Sequence, residues 1–318
     1  MFISPTVTTI RPTNSGLATT IRDCRRLGNA AQITSMRILI IGSSGMLGSD
    51  LVEQWNDDDI IPATSRDVDI REIGQLRQFI TQAHPDWVVL TAAYTDVDES
   101  ERNPQQAFAV NGEGTRNVAR IARELGRRLF YISTDYVFDG ASHRPYEPDD
   151  PIHPLNVYGA SKAAGEDAVR EQSKDWVIAR TSWLFGACRA SFPEKILRAA
   201  ARQPQIKVVA DQIGSPTFTR DLAAAIRDLV RSDARGILHI TNAGSCSWFE
   251  FAKEVLLKAG RRTPILPITT AEADRLAKRP AYSVLSPASL TVRGIRLRSW
   301  QEAVNAYLAD LRQKGKID

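Results

Sequence analysis

A doubly wound, Rossmann-like α/β parallel sheet with a smaller C-terminal lobe is the fold class this sequence predicts, on three observations. Short apolar runs alternate with helix-like stretches from residue 36 onward. The runs are continuously apolar, as in parallel strands buried on both faces. The first of them leads directly into a glycine-spaced turn that opens a helix, Gly42-Ser43-Ser44-Gly45-Met46-Leu47-Gly48. Strand–helix alternation of this kind, with right-handed crossovers, puts helices on both faces of one sheet.

Residues 1–35 stand apart from the rest. They are rich in Ser and Thr, set Arg11, Arg22, Arg25 and Arg26 against Asp23 alone, and show no sustained apolar period. Transit-type peptides share that composition. However, Met36 directly precedes the strand Arg37-Ile38-Leu39-Ile40-Ile41, a natural start for a compact domain, so 1–35 is read as a disordered N-terminal extension. Strands are predicted at 37–41, 60–64, 87–91, 128–133 and 176–181, with others near 206–209 and at 237–240. Helices are predicted at 46–56, 72–83, 104–124 and 156–173. After about residue 181 the rhythm loosens and proline-bearing loops appear, at Ser215-Pro216, Thr263 to Pro267 and Arg279-Pro280. Residues 36–181 are thus expected to form mainly the sheet domain, and 182–318 mainly a lobe with one or two strands rejoining the sheet.

Composition excludes several functions. The chain carries +4 overall with a pI of 9.0. The extension holds 4 − 1 = +3 of that charge, leaving +1 among interspersed acids and bases. No dense basic stripe remains to neutralise phosphates, so nucleic acid is not an expected partner. No apolar run approaches the ~20 residues that span a bilayer. Cys24, Cys188 and Cys246 are scattered, and His84, His143, His153 and His239 lack metal-ligand spacing. No metal site is therefore expected. Redox chemistry would have to come from a bound organic cofactor, and a reducing, cytoplasmic compartment fits best.

The glycine turn supplies a place for such a cofactor. Gly42 permits the tight turn, Gly45 lets backbone approach a pyrophosphate, and Gly48 allows close packing of the helix. The helix start, with Met46 and Leu47, offers free N–H groups and a positive dipole end to the anion. The second strand is followed by Ser65-Arg66, not by an acid that would hold the ribose hydroxyls of NAD. Arg66 can pair with a 2′-phosphate, so NADPH is favoured over NADH. Asp57, Asp58 and Asp59 fall in the loop before that strand, while Asp69 and Ile70 are placed to flank the adenine.

Tyr158-Gly159-Ala160-Ser161-Lys162 stacks a tyrosine and a lysine at i and i+4 on one helix face. Reducing a carbonyl by hydride transfer leaves an alkoxide that needs a proton, and an unperturbed tyrosine is a weak acid for that purpose. A nearby ammonium is expected to lower the phenol's pKa and to bind the nicotinamide ribose. Alone, this spacing is a chance-level pattern; after a glycine turn and at a helix start it gains weight. Upstream, Ser133 and Thr134 end a predicted parallel strand, where ligand sites gather in such sheets. Their hydroxyls can donate to a substrate carbonyl, or simply cap the following turn.

Taken together, these motifs resemble the extended short-chain dehydrogenase/reductases, and within them the dTDP-4-dehydrorhamnose reductases. The resemblance runs from Met36 to the C-terminus. It is carried by Thr91-Ala92-Ala93-Tyr94-Thr95-Asp96, Val110-Asn111, Ser133-Thr134-Asp135-Tyr136-Val137-Phe138, Val157-Tyr158-Gly159, Arg180-Thr181-Ser182-Trp183, Asp211 to Thr217, and Arg279-Pro280-Ala281-Tyr282. It implies Thr134, Tyr158 and Lys162 as the catalytic set. It also implies Ala92, Ala93 and Tyr94 on the nicotinamide half of the cofactor channel, with Asn111 among the cofactor-binding residues. Ser133, Thr134, Asp135, Tyr158, Trp183 and Arg279 would face a nucleotide-sugar, the arginine suiting a diphosphate. Read bottom-up, Trp183 serves equally as a core aromatic. Some family members form a magnesium-bridged homodimer, but no acidic cluster here demands magnesium. Two other functions fit the same motifs: another nucleotide-sugar 4-ketoreductase or epimerase, and a non-catalytic dinucleotide-binding subunit. Retention of both Tyr158 and Lys162 favours catalysis over the latter.

Overall fold

The computed structural model describes residues 35–317, so the expectation for the N-terminal extension up to residue 34 lies outside the described residues. The first half runs β1 Arg37–Ile41, α1 Met46–Gln54, β2 Asp59–Ala63, α2 Ile73–Ala83, β3 Trp87–Leu90, α3 Val97–Arg102, α4 Pro104–Phe108, α5 Thr115–Glu124, β4 Arg128–Thr134, α6 Val157–Gln172 and β5 Trp176–Thr181. The second half runs β6 Leu184–Phe185, α7 Phe192–Ala200, β7 Ile206–Val209, β8 Ile213–Gly214, β9 Thr217–Phe218, α8 Thr219–Val230 and β10 Gly236–His239. It closes with β11 Cys246–Ser247, α9 Trp248–Lys258, β12 Ile265–Ile268, α10 Ala288–Thr291 and α11 Trp300–Gln313.

Six strands form one parallel sheet in the order β10-β5-β4-β3-β1-β2. The Rossmann-like doubly wound class is thus the observed one. Side chains alternate across the sheet with period two. Ile38, Ile40, Trp87, Val89, Phe130 and Ile132 pack on one face, with α1 and α8. Leu39, Ile41, Val88, Leu90, Leu129 and Tyr131 fill the other, with α2 and α5. Trp55 and Trp87 are buried, and each indole N–H reaches a carbonyl of the α8 layer, Ala223 at 3.1 Å and Val230 at 3.0 Å.

Differences from the sequence reading are local. Asp59, expected in the loop, opens β2 instead. The helix predicted over 104–124 is interrupted by a π-turn at Ala109–Gly114. Such insertions re-aim one side chain; here the turn carries Asn111, which binds the backbone of Tyr94 through 2.8 and 2.9 Å hydrogen bonds. Of the late strands, β10 joins the main sheet, whereas β7 pairs with β12 in a separate two-stranded sheet. A second core, built on Phe185, Ile196, Val208, Phe251, Val255, Trp300 and Tyr307, holds α7, α9 and α11 together. No helix among the described residues is long and apolar enough to cross a membrane.

Candidate active site

β1 lies between β2 and β3, so the crossovers from its end diverge and leave a crevice at the carboxyl edge of the sheet. A cleft of about 800 Å³ occupies this place. Its floor is the glycine turn. Gly42 has φ +95°, and a Cβ there would lie 2.5 Å from the Ala92 nitrogen. A Cβ on Gly48 would meet the Gly42 carbonyl at 2.3 Å, so the first turn of α1 can sit on the loop only without one. At Gly45 the nearest such atom is 3.1 Å away, and the first turn of α1 bears no acid. An open face with free N–H groups and no repelling carboxylate suits a dinucleotide's diphosphate.

Met46, Leu47, Asp69, Ile70, Ala92 and Ala93 all line this cleft, as do Ser133, Thr134, Asp135, Tyr158, Lys162 and Trp183. Four residues of the sequence reading fall elsewhere, Arg279 among them in a second cleft described below. Arg66 is exposed and off the cleft wall, because its segment turns back when Asp67 accepts from both the backbone and the hydroxyl of Thr64. Arg71 lines the adenosine end in its place, paired to Asp69 at 2.6 Å. Tyr94 and Asn111 also lie off the wall; Asn111 is buried, ties Tyr94 to the Ser161 hydroxyl at 2.9 Å, and leaves Thr95 to line the cleft.

The cap of α6 fixes the Tyr158 turn: the Asn156 side chain accepts from the Gly159 N–H at 2.8 Å, while its amide donates to the Lys278 carbonyl. Tyr158 packs edge-on against Tyr136 at 5.9 Å between ring centroids. Its hydroxyl is in hydrogen-bonding contact with Thr134. Thr134 in turn donates to Asp135 Oδ1 at 3.0 Å and caps the next turn by accepting from the Tyr136 N–H at 3.2 Å. The capping reading of Thr134 is thus observed, and its hydroxyl proton is engaged by Asp135. Ser133 is different. Its hydroxyl donates to Glu166 Oε1 at 2.6 Å and is committed there instead of to a substrate carbonyl.

The expectation that Lys162 lowers the Tyr158 pKa is corrected. Burial pushes Tyr158 up to about 12, opposed by Thr134 and reinforced by the Asp135 charge. Lys162 is 2% exposed and donates to the Ile132 carbonyl at 2.6 Å, with its ammonium 4.1 Å over the Tyr131 ring. Burial pulls it down to about 7, against the attraction of Glu166. Desolvation disfavours the charged form of each group and is the dominant cause for both. Asp135, buried with one carboxylate oxygen lacking a hydrogen bond, is pushed up to about 7 by the same cause.

Beneath these residues lies a network absent from the sequence reading. Glu166 and Arg180 are 0% and 2% exposed and form a two-pronged pair at 2.9 and 2.7 Å. Two signals were available: a charge inside the apolar strand Trp176-Val177-Ile178-Ala179-Arg180, and an acid four residues after Lys162 on the same helix face.

A second cleft, of about 1130 Å³, shares Thr95, Val97, Tyr136 and Trp248 with the first. Lys195, Lys207, Arg275 and Arg279 line it. Arg279 donates to Asp98 at 3.0 Å, so part of its charge is already matched. Trp183 stands near the junction with φ +46°, an uncommon conformation for a bulky residue, stacked on Trp248 at 3.5 Å between centroids. Its ring is half-buried on the cleft wall and also packs against the lobe core.

Residues 36–313 match the family model described as the RmlD substrate binding domain. The chain is 40% identical over 276 residues to the spore coat polysaccharide biosynthesis protein SpsK of Bacillus subtilis, covering 86% of this chain and 97% of that one. It is 37% identical over 296 residues to the dTDP-4-dehydrorhamnose reductase of Burkholderia thailandensis, covering 87% and 99%. Among solved structures it resembles the dTDP-4-dehydrorhamnose reductase of Bacillus anthracis in complex with NADP, with a TM-score of 0.85, 39% identity, and coverage of 87% and 99%.

Proposed function

The chain belongs to the RmlD family of dTDP-4-dehydrorhamnose reductases, NAD(P)H-dependent oxidoreductases, and we propose that it reduces the C4 carbonyl of dTDP-4-dehydro-L-rhamnose to give dTDP-L-rhamnose. The observation that carries this reading is the placement of Thr134, Tyr158 and Lys162 together on the wall of the glycine-floored cleft, beside a cation-lined one. The glycine turn with Met46 and Leu47 would hold the cofactor's diphosphate, and Asp69, Ile70 and Arg71 its adenosine end. Ala92, Ala93 and Lys162 would border its nicotinamide half. When bound, the reduced nicotinamide supplies a hydride.

Tyr158, with a pKa near 12, is a fully protonated phenol at neutral pH and so a ready donor to the oxygen that gains charge at C4. Thr134 acts on that phenol by hydrogen bonding, and its hydroxyl can donate to the same oxygen once it turns from Asp135 Oδ1. Lys162, titrating near neutrality, is an ammonium when the local field favours charge, and then stabilises the phenolate left after donation. Arg279, Arg275, Lys195 and Lys207 suit the nucleotide diphosphate, with Trp183 and Trp248 bordering the sugar. A reducing, cytoplasmic compartment fits the free Cys188 and Cys246.

The test is cofactor oxidation with dTDP-4-dehydro-L-rhamnose, set beside other nucleotide 4-keto sugars. Tyr158→Phe is expected to lower kcat by roughly 10²–10⁴-fold with cofactor affinity largely preserved. Undiminished turnover in that variant would refute the proton-donor role. Turnover confined to a different sugar would overturn the substrate.

A further inference from the structure

Arg189 is a cation with an unusual anchorage. It lies in the loop between β6 and α7, is exposed, and lines the dinucleotide cleft together with Ala190. Its Nε–H donates to the carbonyl of Ser44, inside the glycine turn, at 2.8 Å. A guanidinium has five N–H donors, and this contact uses one. Among the described residues no carboxylate forms an ion pair with it, whereas Arg71 in the same cleft is paired with Asp69.

The loop that carries it is tied down on several sides. Lys316 donates to the Ala187 carbonyl at 2.7 Å, and the Cys188 thiol contacts Asp50 of α1 at 3.5 Å. Gly186 packs so closely that a Cβ there would lie 2.1 Å from the Thr219 hydroxyl. The backbone under Arg189 is thus held against the helix that starts at the glycine turn. An unpaired guanidinium anchored at this place can take an anion, and the anion that belongs on a glycine turn at a helix start is a phosphate.

We propose that Arg189 is a diphosphate clamp, a cation lent by the second half of the chain that binds the dinucleotide's pyrophosphate across from the glycine turn. The clamp rests on the cofactor reading above and goes beyond it, because the glycine turn supplies only backbone N–H groups. It acts on binding alike for NADH and NADPH, since both carry the same diphosphate. Arg71, at the adenosine end, is left to sense the 2′ position.

The experiment is a fluorescence titration of wild type, Arg189→Ala and Arg189→Lys with NADPH, NADH and adenosine 2′-monophosphate, which lacks the diphosphate. Loss of one charge-assisted contact at an exposed site should weaken both dinucleotides by roughly tenfold in Arg189→Ala. The factor should be equal for the two, with part of it recovered in Arg189→Lys and none of it seen for adenosine 2′-monophosphate. Thermal melts matching wild type would keep folding out of the comparison. The clamp is overturned if Arg189→Ala binds both dinucleotides as wild type does, if NADPH alone weakens, or if adenosine 2′-monophosphate weakens equally. Failure of the wild type to bind either dinucleotide would instead sink the cofactor reading, and the clamp with it.

Discussion

Glu166→Gln is the substitution that reports most directly on how the site is built. The carboxylate is fully buried, accepts from Ser133, and holds Arg180 by two hydrogen bonds. Glutamine keeps the shape and one acceptor but leaves the Arg180 charge without its partner. Removing one member of a buried pair costs about 3–5 kcal/mol. The described residues, roughly 280 in number, unfold with an entropy of about 0.6 kcal/mol/K, so the melting midpoint should fall by about 5–8 °C. Arg180→Met alone should cost a similar amount. The double substitution, Glu166→Met with Arg180→Met, should recover most of the loss, because two apolar groups of similar size carry no uncompensated charge.

A second readout separates electrostatics from packing. Glu166 holds the Lys162 pKa up against burial, and Lys162 sits at about 7. Without that carboxylate the lysine should titrate lower still. The alkaline fall of kcat/KM tied to loss of the Lys162 proton should then begin at lower pH in Glu166→Gln, and the double variant should not restore it. Differential scanning calorimetry and a pH–rate profile measure the two effects. A melting midpoint within a degree of wild type, together with an unshifted profile, would refute the reasoning.

Three further outcomes follow from the same geometry. Arg71→Ala should lower NADPH affinity by about tenfold relative to NADH, whereas Arg66→Ala should leave the ratio unchanged; paired titrations decide, and a loss confined to Arg66→Ala would reinstate the sequence reading. Asp135 is raised from 3.8 to about 7, so between those values the unfolded chain ionises while the native carboxyl keeps its proton. Stability should therefore fall as pH rises through that window, and Asp135→Asn should flatten the fall in denaturant midpoints measured from pH 4 to 8; an unchanged slope counts against it. Trp248→Ala should abolish any exciton couplet of the stacked indoles in the ultraviolet circular dichroism and raise KM for the nucleotide-sugar with a smaller effect on kcat, and an unchanged spectrum would contradict the stack.

The sheet was legible because its cause is local. Ile38 to Ile41, Trp87 to Leu90 and Leu129 to Tyr131 are apolar without interruption, and only a strand buried on both faces explains that. The glycine turn was legible for a related reason, since Gly42 and Gly48 answer backbone geometry that no other residue meets. What escaped was geometry that leaves no pattern in the sequence. The adjacency of Arg66 to a strand end is visible in sequence, while the Asp67–Thr64 turn that aims it away is not. The attachment of Asn111 to Tyr94 was not legible either, because the π-turn that carries it leaves no periodic trace.

The largest revision concerns the Tyr158–Lys162 pair, and its physics reaches beyond those two residues. Spacing put both on one helix face and suggested an ammonium easing a phenol's ionisation. Folding buries both, and with them Asp135, so the charged forms of all three are penalised together. A neutral phenol beside a lysine near its midpoint is well arranged to give a proton and then welcome the charge left behind, since stabilising the phenolate requires only that the lysine gain a proton. Such an arrangement costs stability: Lys162 in the native state resists a proton that the unfolded chain accepts up to about pH 10. Glu166 offsets part of that cost from one turn away, and Arg180 keeps Glu166 from becoming a liability of its own. The acid inside the helix and the arginine inside the strand are thus what let a buried lysine remain within reach of its charged form.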